Sequence, residues 1–210
     1  MTTATTTMTA PQKLTDRKRE AILEAAIAEF HSNGFDATSM DKIAASAEVS
    51  KRTVYNHFPS KDDLFAAILQ QLWECTAATT EAPYRADLPL REQLLELMQQ
   101  KMHMLSDPSF MNLASVVIAE GIHSPQRAQE MLARIGKREE AFTAWMRAAQ
   151  QDGKLKPADP EFAAHLLQGQ LKLFAFWPQL AMGQAPLPVA EQTMIVQTAV
   201  DMFLAYFELQ

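Results

Sequence analysis

Three times along the chain a side chain able to cap a helix stands directly before a proline: Asp107-Pro108, Ser124-Pro125 and Asp159-Pro160. Each pair puts an acceptor at the N-cap and a residue without an N–H at the first helical position, where that donor has no intrahelical partner. Gly34, Gly121 and Gly153 stand where a left-handed residue would close the last turn of a helix. Between these marks apolar residues recur at steps of three and four, and no run alternates apolar with polar residues in the β-branched manner of a strand. The spacing predicts helices over 16–33, 39–46, 50–57, 61–80, 90–106, 108–120, 125–151, 160–182 and 189–208. The expected fold is all-α with about nine helices.

Composition narrows the chemistry. The 210 residues include only six glycines, where average usage would give about 15, so glycine-rich phosphate cradles are disfavoured. With 48% apolar and 21% charged residues the chain can bury a core. A lone cysteine, Cys75, can neither pair internally nor build a zinc site by itself, which suits a cytoplasmic protein. The longest apolar region, around 162–183, is broken by His165, Gln168, Gln170, Lys172 and Gln179 and is not expected to span a membrane. Residues 1–15 lack the pattern of a signal peptide and are expected to form a disordered tail. The net charge is −6, yet residues 12–65 carry eight Lys/Arg against nine Asp/Glu, so a local basic face remains possible there.

Two of the expected helices are too short to be stable alone and must be fixed by packing. Thr38 with Asp41, and Ser60 with Asp63, have capping-box spacing, and Ser50 can cap the segment that follows it. Ile43, Ala44, Ala47, Val49, Val54 and Phe58 can then turn inward against Ile22, Ala26, Ile27 and Phe30. Lys51, Arg52, Thr53, Tyr55 and Asn56 are left facing outward. Two short helices joined by Ala47-Glu48-Val49 describe a helix-turn-helix, whose second helix enters the DNA major groove. Arginine and lysine suit guanine, asparagine suits adenine, and a threonine methyl suits thymine. Thr38, Ser39, Ser50, Tyr55, His57 and Lys61 are candidate partners of the phosphates and their surroundings, beside a basic arm of Lys13, Arg17, Lys18 and Arg19. A solvated charged turn is the plainer alternative for Lys51-Arg52.

Residues 16–76 closely resemble the DNA-binding domain of the TetR family of transcriptional regulators. The resemblance is carried by Arg19-Glu20-Ala21-Ile22-Leu23, Phe30, Gly34-Phe35, Thr38-Ser39-Met40, Ile43-Ala44 and the run AEVSKRTVYNHFPSKDDLF over 47–65. It implies a helix-turn-helix over 39–58 with a recognition helix at 50–57. Glu48 departs from the pattern, since the family usually has glycine there. The segment from about 108 to 182 resembles, more loosely, the AefR-like type of TetR C-terminal domain. The implied organisation is a three-helix reader followed by an effector-binding and dimerisation domain over 77–210.

Only five charged residues fall between 160 and 210. The last two long helices each carry two apolar stripes, so each is buried on more than one side. A fully wrapped core helix is one reading; a homodimer through an isologous four-helix bundle is the preferred one. The candidate partner face comprises Phe162, Leu166, Gly169 and Leu173 with Val196, Val200, Phe203 and Phe207. Periodicity alone does not choose between the two stripes. A dimer would also match a palindromic operator of double-stranded DNA, with half-sites about one turn apart. Trp73, Met98, Met102, His103, Phe110, Phe142, Trp145, Gln168 and Trp177 are candidate walls of a pocket for a small apolar or amphipathic effector, with His123 a further polar handle. Core packing is the alternative for each.

No catalytic constellation is visible. The histidines at 31, 57, 103, 123 and 165 lack metal-ligand spacing, and neither a P-loop nor a nucleophile elbow occurs. No catalytic residue, metal or cofactor is expected. The expected function is that of a sequence-specific repressor released by its effector.

Overall fold

The computed structural model describes residues 12–78, 82–135 and 141–209. Among these it holds eleven helical segments and no strand: α1 (Gln12–Asn33), α2 (Met40–Ser46), α3 (Lys51–His57), α4 (Lys61–Ala78), α5 (Leu90–Leu105), α6 (Pro108–His123), α7 (Pro125–Ile135), α8 (Ala141–Gln151), α9 (Pro160–Ala175), α10 (Trp177–Met182) and α11 (Val189–Phe207). The all-α expectation holds, with four differences in detail.

Residues 12–15 are helical rather than tail, while 1–11 lie outside the described residues. The helix expected over 125–151 is described as α7 and α8, with 136–140 outside the description. The helix expected over 160–182 breaks at Phe176, because Pro178 has no N–H to donate and crowds the turn before it. Gly121 does not end α6, which runs on to His123; a Cβ at Gly121 would lie 4.0 Å from the Ala128 Cβ. Gly34 and Gly153 do take positive φ, at 78° and 72°, after α1 and α8.

The described residues cluster into two compact units. One holds the chain through Leu69 together with Val116–Ala128; the other holds Gln70–Ser115 and Gln129 onward. In the first, α1 packs on α2 and α3, and α2 packs on α3. Ile22, Ala26, Ile43, Val54, Leu64 and Ile68 are buried together with an aromatic cluster in which Phe30, Phe35 and Phe65 have ring centroids 5.1–6.2 Å apart. Burying a side chain of this size contributes about 1.5–3 kcal/mol, which is what holds two seven-residue helices in place.

In the second unit α11 packs on α5 and α9, and α9 also packs on α8, α5 and α10. The caps expected there form: Asp107 accepts from the Phe110 N–H at 2.9 Å and Asp159 from the Glu161 N–H at 3.0 Å. Arg91 on α5 forms an ion pair with Asp201 on α11 at 2.7 Å. Among the described residues no helix is long and apolar enough to cross a membrane.

Candidate nucleic-acid interface

The outward helix is set by its cap and its two buried anchors. Ser50 accepts the Thr53 N–H at 3.1 Å, and its hydroxyl lies 2.7 Å from that of Thr53. Val54 and Phe58, four residues apart, are buried. The helical period therefore turns Lys51, Arg52, Tyr55 and Asn56 to solvent, with Thr53 and His57 at the margins. Arg52 and Asn56 make no side-chain hydrogen bond among the described residues, leaving their donors available. Arg19 of α1 lies over the Phe58 ring, 5.2 Å from its centroid.

The turn before this helix contains the non-glycine residue at positive φ among the described residues, Glu48 at φ 53°. This is the position at which the sequence departs from the family's glycine. The left-handed conformation costs an L-residue about 1–2 kcal/mol. Here it lets the Val49 N–H reach the Ala44 carbonyl at 3.0 Å and brings α3 back across α2.

Two expected contacts, Thr38 and Lys61, change role. Thr38 is buried, only 2% exposed, and its hydroxyl donates to the carbonyls of Gly34 (2.8 Å) and Glu29 (3.2 Å). It closes the α1–α2 turn and is not a surface group for phosphate. Ser39, one residue later and exposed, is the actual α2 cap, accepting the Lys42 N–H at 3.2 Å. The Lys61 ammonium is likewise turned inward. It donates to the carbonyls of Phe35, Asp36 and Thr38 at 2.6, 3.2 and 3.0 Å and sits 4.4 Å from the Phe35 ring centroid. A cation whose three protons already meet carbonyls is a clamp on the α1–α2 turn.

Lys51 remains at the surface but is held by Asp41, at 2.8 and 2.9 Å to its two oxygens. The hydrogen bond and the charge of Asp41 raise the Lys51 pKa and keep it protonated. The same unit holds a cluster that no local pattern announces. Arg127 is stacked over Phe35, 4.5 Å from the ring centroid, pairs with Asp36 at 3.4 Å and Asp62 at 3.9 Å, and donates to the buried Glu120 carboxylate. Its partners come from 36, 62 and 120, so only the folded chain brings them together.

The other candidate residues divide cleanly. Met98, Met102, Phe110, Phe142, Trp145 and Gln168 are buried in the second unit, and Trp73 is half-buried. His103, His123 and Trp177 are exposed on the chain and do not line its interior. Phe162, Leu166, Gly169 and Leu173 face outward along α9, with Leu173 62% exposed. Val196, Val200, Phe203 and Phe207 do not: they are buried within the chain, so they belong to its core and not to a partner face. The large outward apolar residues of α11 are Val189, Met194, Met202 and Tyr206.

A packed helix pair whose second member presents arginine, tyrosine and asparagine defines a helix-turn-helix DNA-binding protein. Residues 22–68 match the family described as bacterial regulatory proteins, tetR family, and residues 92–208 match the AefR-like transcriptional repressor C-terminal domain. The chain belongs to the TetR family, and it is a DNA-binding transcriptional regulator and not an enzyme. It is similar to a solved TetR family regulator from Pseudomonas syringae pv. tomato str. DC3000, with 56% identity, 93% of this chain and 98% of that one covered, and a TM-score of 0.84. It is also similar to the structure of a flavonoid-responsive regulator, FrrA, at 26% identity over 93% of this chain and 99% of that one, with a TM-score of 0.67. The regulator RutR of Escherichia coli K12 is 28% identical over 167 residues, which is 78% of this chain and 76% of RutR.

Proposed function

We propose that the chain is a cytoplasmic, one-component repressor that binds a palindromic operator as a homodimer and leaves it when a small effector enters the second unit. The observation that carries the reading is α3: its cap and buried anchors hold Arg52, Tyr55 and Asn56 outward with their hydrogen-bonding groups available. Arg52 and Asn56 would read base edges, and Ser39, Ser50, Lys51, Tyr55 and His57 would meet the backbone. One helix of seven residues contacts too few bases to specify a site, which supports a twofold dimer. The outward apolar faces of α9 and α11 suit the interface, with Phe162, Leu166 and Leu173 beside Met194, Met202 and Tyr206.

Release requires the effector to prefer the form that binds DNA poorly, and its differential affinity limits the response. The route lies through α4, whose first nine residues belong to the unit of the reader and whose remainder belongs to the unit of the effector. A solved relative named for its response to flavonoids supports a small organic ligand. The experiment is selection of binding sites from random duplex DNA by the purified protein. Enrichment of a palindrome supports the dimeric reader and supplies the operator. No enrichment at low salt from ligand-stripped protein overturns it.

A further inference from the structure

Among the described residues, the second unit contains two buried nitrogen donors with no acceptor on the protein. Trp145 on α8 and Gln168 on α9 are each 2% exposed, and neither Trp145 Nε1 nor Gln168 Nε2 has a hydrogen-bond partner among the described residues. The two helices that carry them pack directly on each other. Buried polar groups in folded proteins are nearly always paired, and an unpaired one bears its full desolvation cost.

The same unit shows how a buried amide is treated when its role is structural. Gln93, 3% exposed, donates to the carbonyls of Leu88 at 3.0 Å and Arg85 at 2.8 Å and accepts the Arg85 N–H at 2.9 Å. Gln168 has the same side chain and the same burial without that bonding. The apolar part of Trp145 is provided for: its ring stacks on Phe142 at 6.0 Å and meets Tyr84 edge-on at 5.5 Å. Only the N–H is left over.

We propose that Trp145 Nε1 and Gln168 Nε2 are the donor pair of the effector site, and that the effector is an apolar molecule carrying acceptor oxygens, as a carbonyl or carboxylate. This rests on the effector-release reading above and adds its chemistry. A pure hydrocarbon would leave both donors unpaired, and a cation would bring further donors to them. An oxygen acceptor supplies what the core lacks.

The test uses the full-length protein with 15N-labelled tryptophan, the indole signals of Trp73, Trp145 and Trp177 being assigned from Trp→Phe variants. Two pairs of probes share a hydrocarbon body and differ in the acceptor: benzophenone with diphenylmethane, and 2-naphthoate with 2-methylnaphthalene. The oxygen-bearing member of at least one pair should move the Trp145 indole signal downfield and bind roughly tenfold or more tighter than its partner. Gln168→Met should abolish most of that preference. It should also melt at or above the parent when ligand-free, because it removes an unsatisfied amide and keeps the side-chain volume.

A Trp145 signal unmoved by all four probes overturns the proposal. So does equal binding within both pairs, or a Gln168→Met protein that melts several degrees lower. Operator selection separates the two readings. If the parent enriches a palindrome while the probes fail, only the donor-pair inference falls; if it enriches none, the operator-release reading falls instead.

Discussion

Replacing Lys61 with methionine separates two roles that one lysine beside a DNA-reading helix could have. Methionine keeps most of the stem and removes the charge. The ammonium donates to three carbonyls at 2.6–3.2 Å and faces the Phe35 ring at 4.4 Å. Hydrogen bonds to a charged group are worth about 1.5–3 kcal/mol, and the cation–π contact about 0.5–1 kcal/mol at a partly exposed site. The three bonds share one ammonium, and water can replace some of them in the variant, so their sum is not tripled. A loss of roughly 2–3 kcal/mol follows, or about 4–12 °C in Tm for a chain of this length. Calorimetric melting gives the first number, and operator affinity across a salt series gives the second. As a clamp, Lys61→Met lowers Tm and leaves the slope of log affinity against log salt unchanged. A variant as stable as the parent whose slope is shallower by about one would refute the reasoning, because that is the signature of one lost phosphate contact.

Four further outcomes are expected. Glu48→Gly should stabilise the protein by about 0.5–1 kcal/mol in denaturant unfolding, since relief of the left-handed backbone exceeds the added freedom of the unfolded chain; a loss of stability would show that Glu48 is held there by something more than the turn. Arg52→Ala should weaken operator binding and broaden the base preference in site selection, whereas an unchanged selected sequence would remove Arg52 from base readout. Leu173→Glu should yield a folded monomer by sedimentation, while Val200→Glu should not fold, because Leu173 is 62% exposed and Val200 is fully buried. In a tyrosinate absorbance titration, Tyr84 should ionise at about 12, because burial and its hydrogen bond to Asp152 favour the neutral phenol. Its folded pKa is raised, so the associated stability is complete below about pH 10 and fades as pH rises through about 12. Tyr84→Phe should delete that phase.

The all-α class and most helix ends were legible because their signals are local. An acid or serine before a proline, or a glycine after an apolar run, acts within one turn. The same locality explains the misses. Thr38 and Ser39 are adjacent hydroxyls, each able to cap; only the path of the turn from Gly34 puts the first inside and the second at the cap. The two stripes of α11 are equally apolar, so nothing in the period says that Val196, Val200, Phe203 and Phe207 meet α5 and α9 instead of a partner. Lys61 carries the charge of a phosphate ligand, and its capture by carbonyls 23–26 residues earlier is a tertiary event. Arg127 meets its ion-pair partner Asp36 across 91 residues of sequence. The outward face of α3 was legible because a short helix with two buried anchors four residues apart leaves its remaining positions no other direction.

The Asp41–Lys51 pair gives the reader a counterion of its own. A phosphate that takes up the Lys51 ammonium must displace a carboxylate that remains bonded to the same protein, at 2.8–2.9 Å, and cannot diffuse away. If Lys51 meets phosphate as proposed above, it would attract duplex of arbitrary sequence less than a bare lysine, with no such penalty on the base contacts proposed for Arg52 and Asn56. A chromosome offers millions of wrong sites for each right one, and every one presents phosphates. Under the proposed function, Asp41 and the net charge of −6 would both weaken attraction to duplex that α3 has no sequence to read.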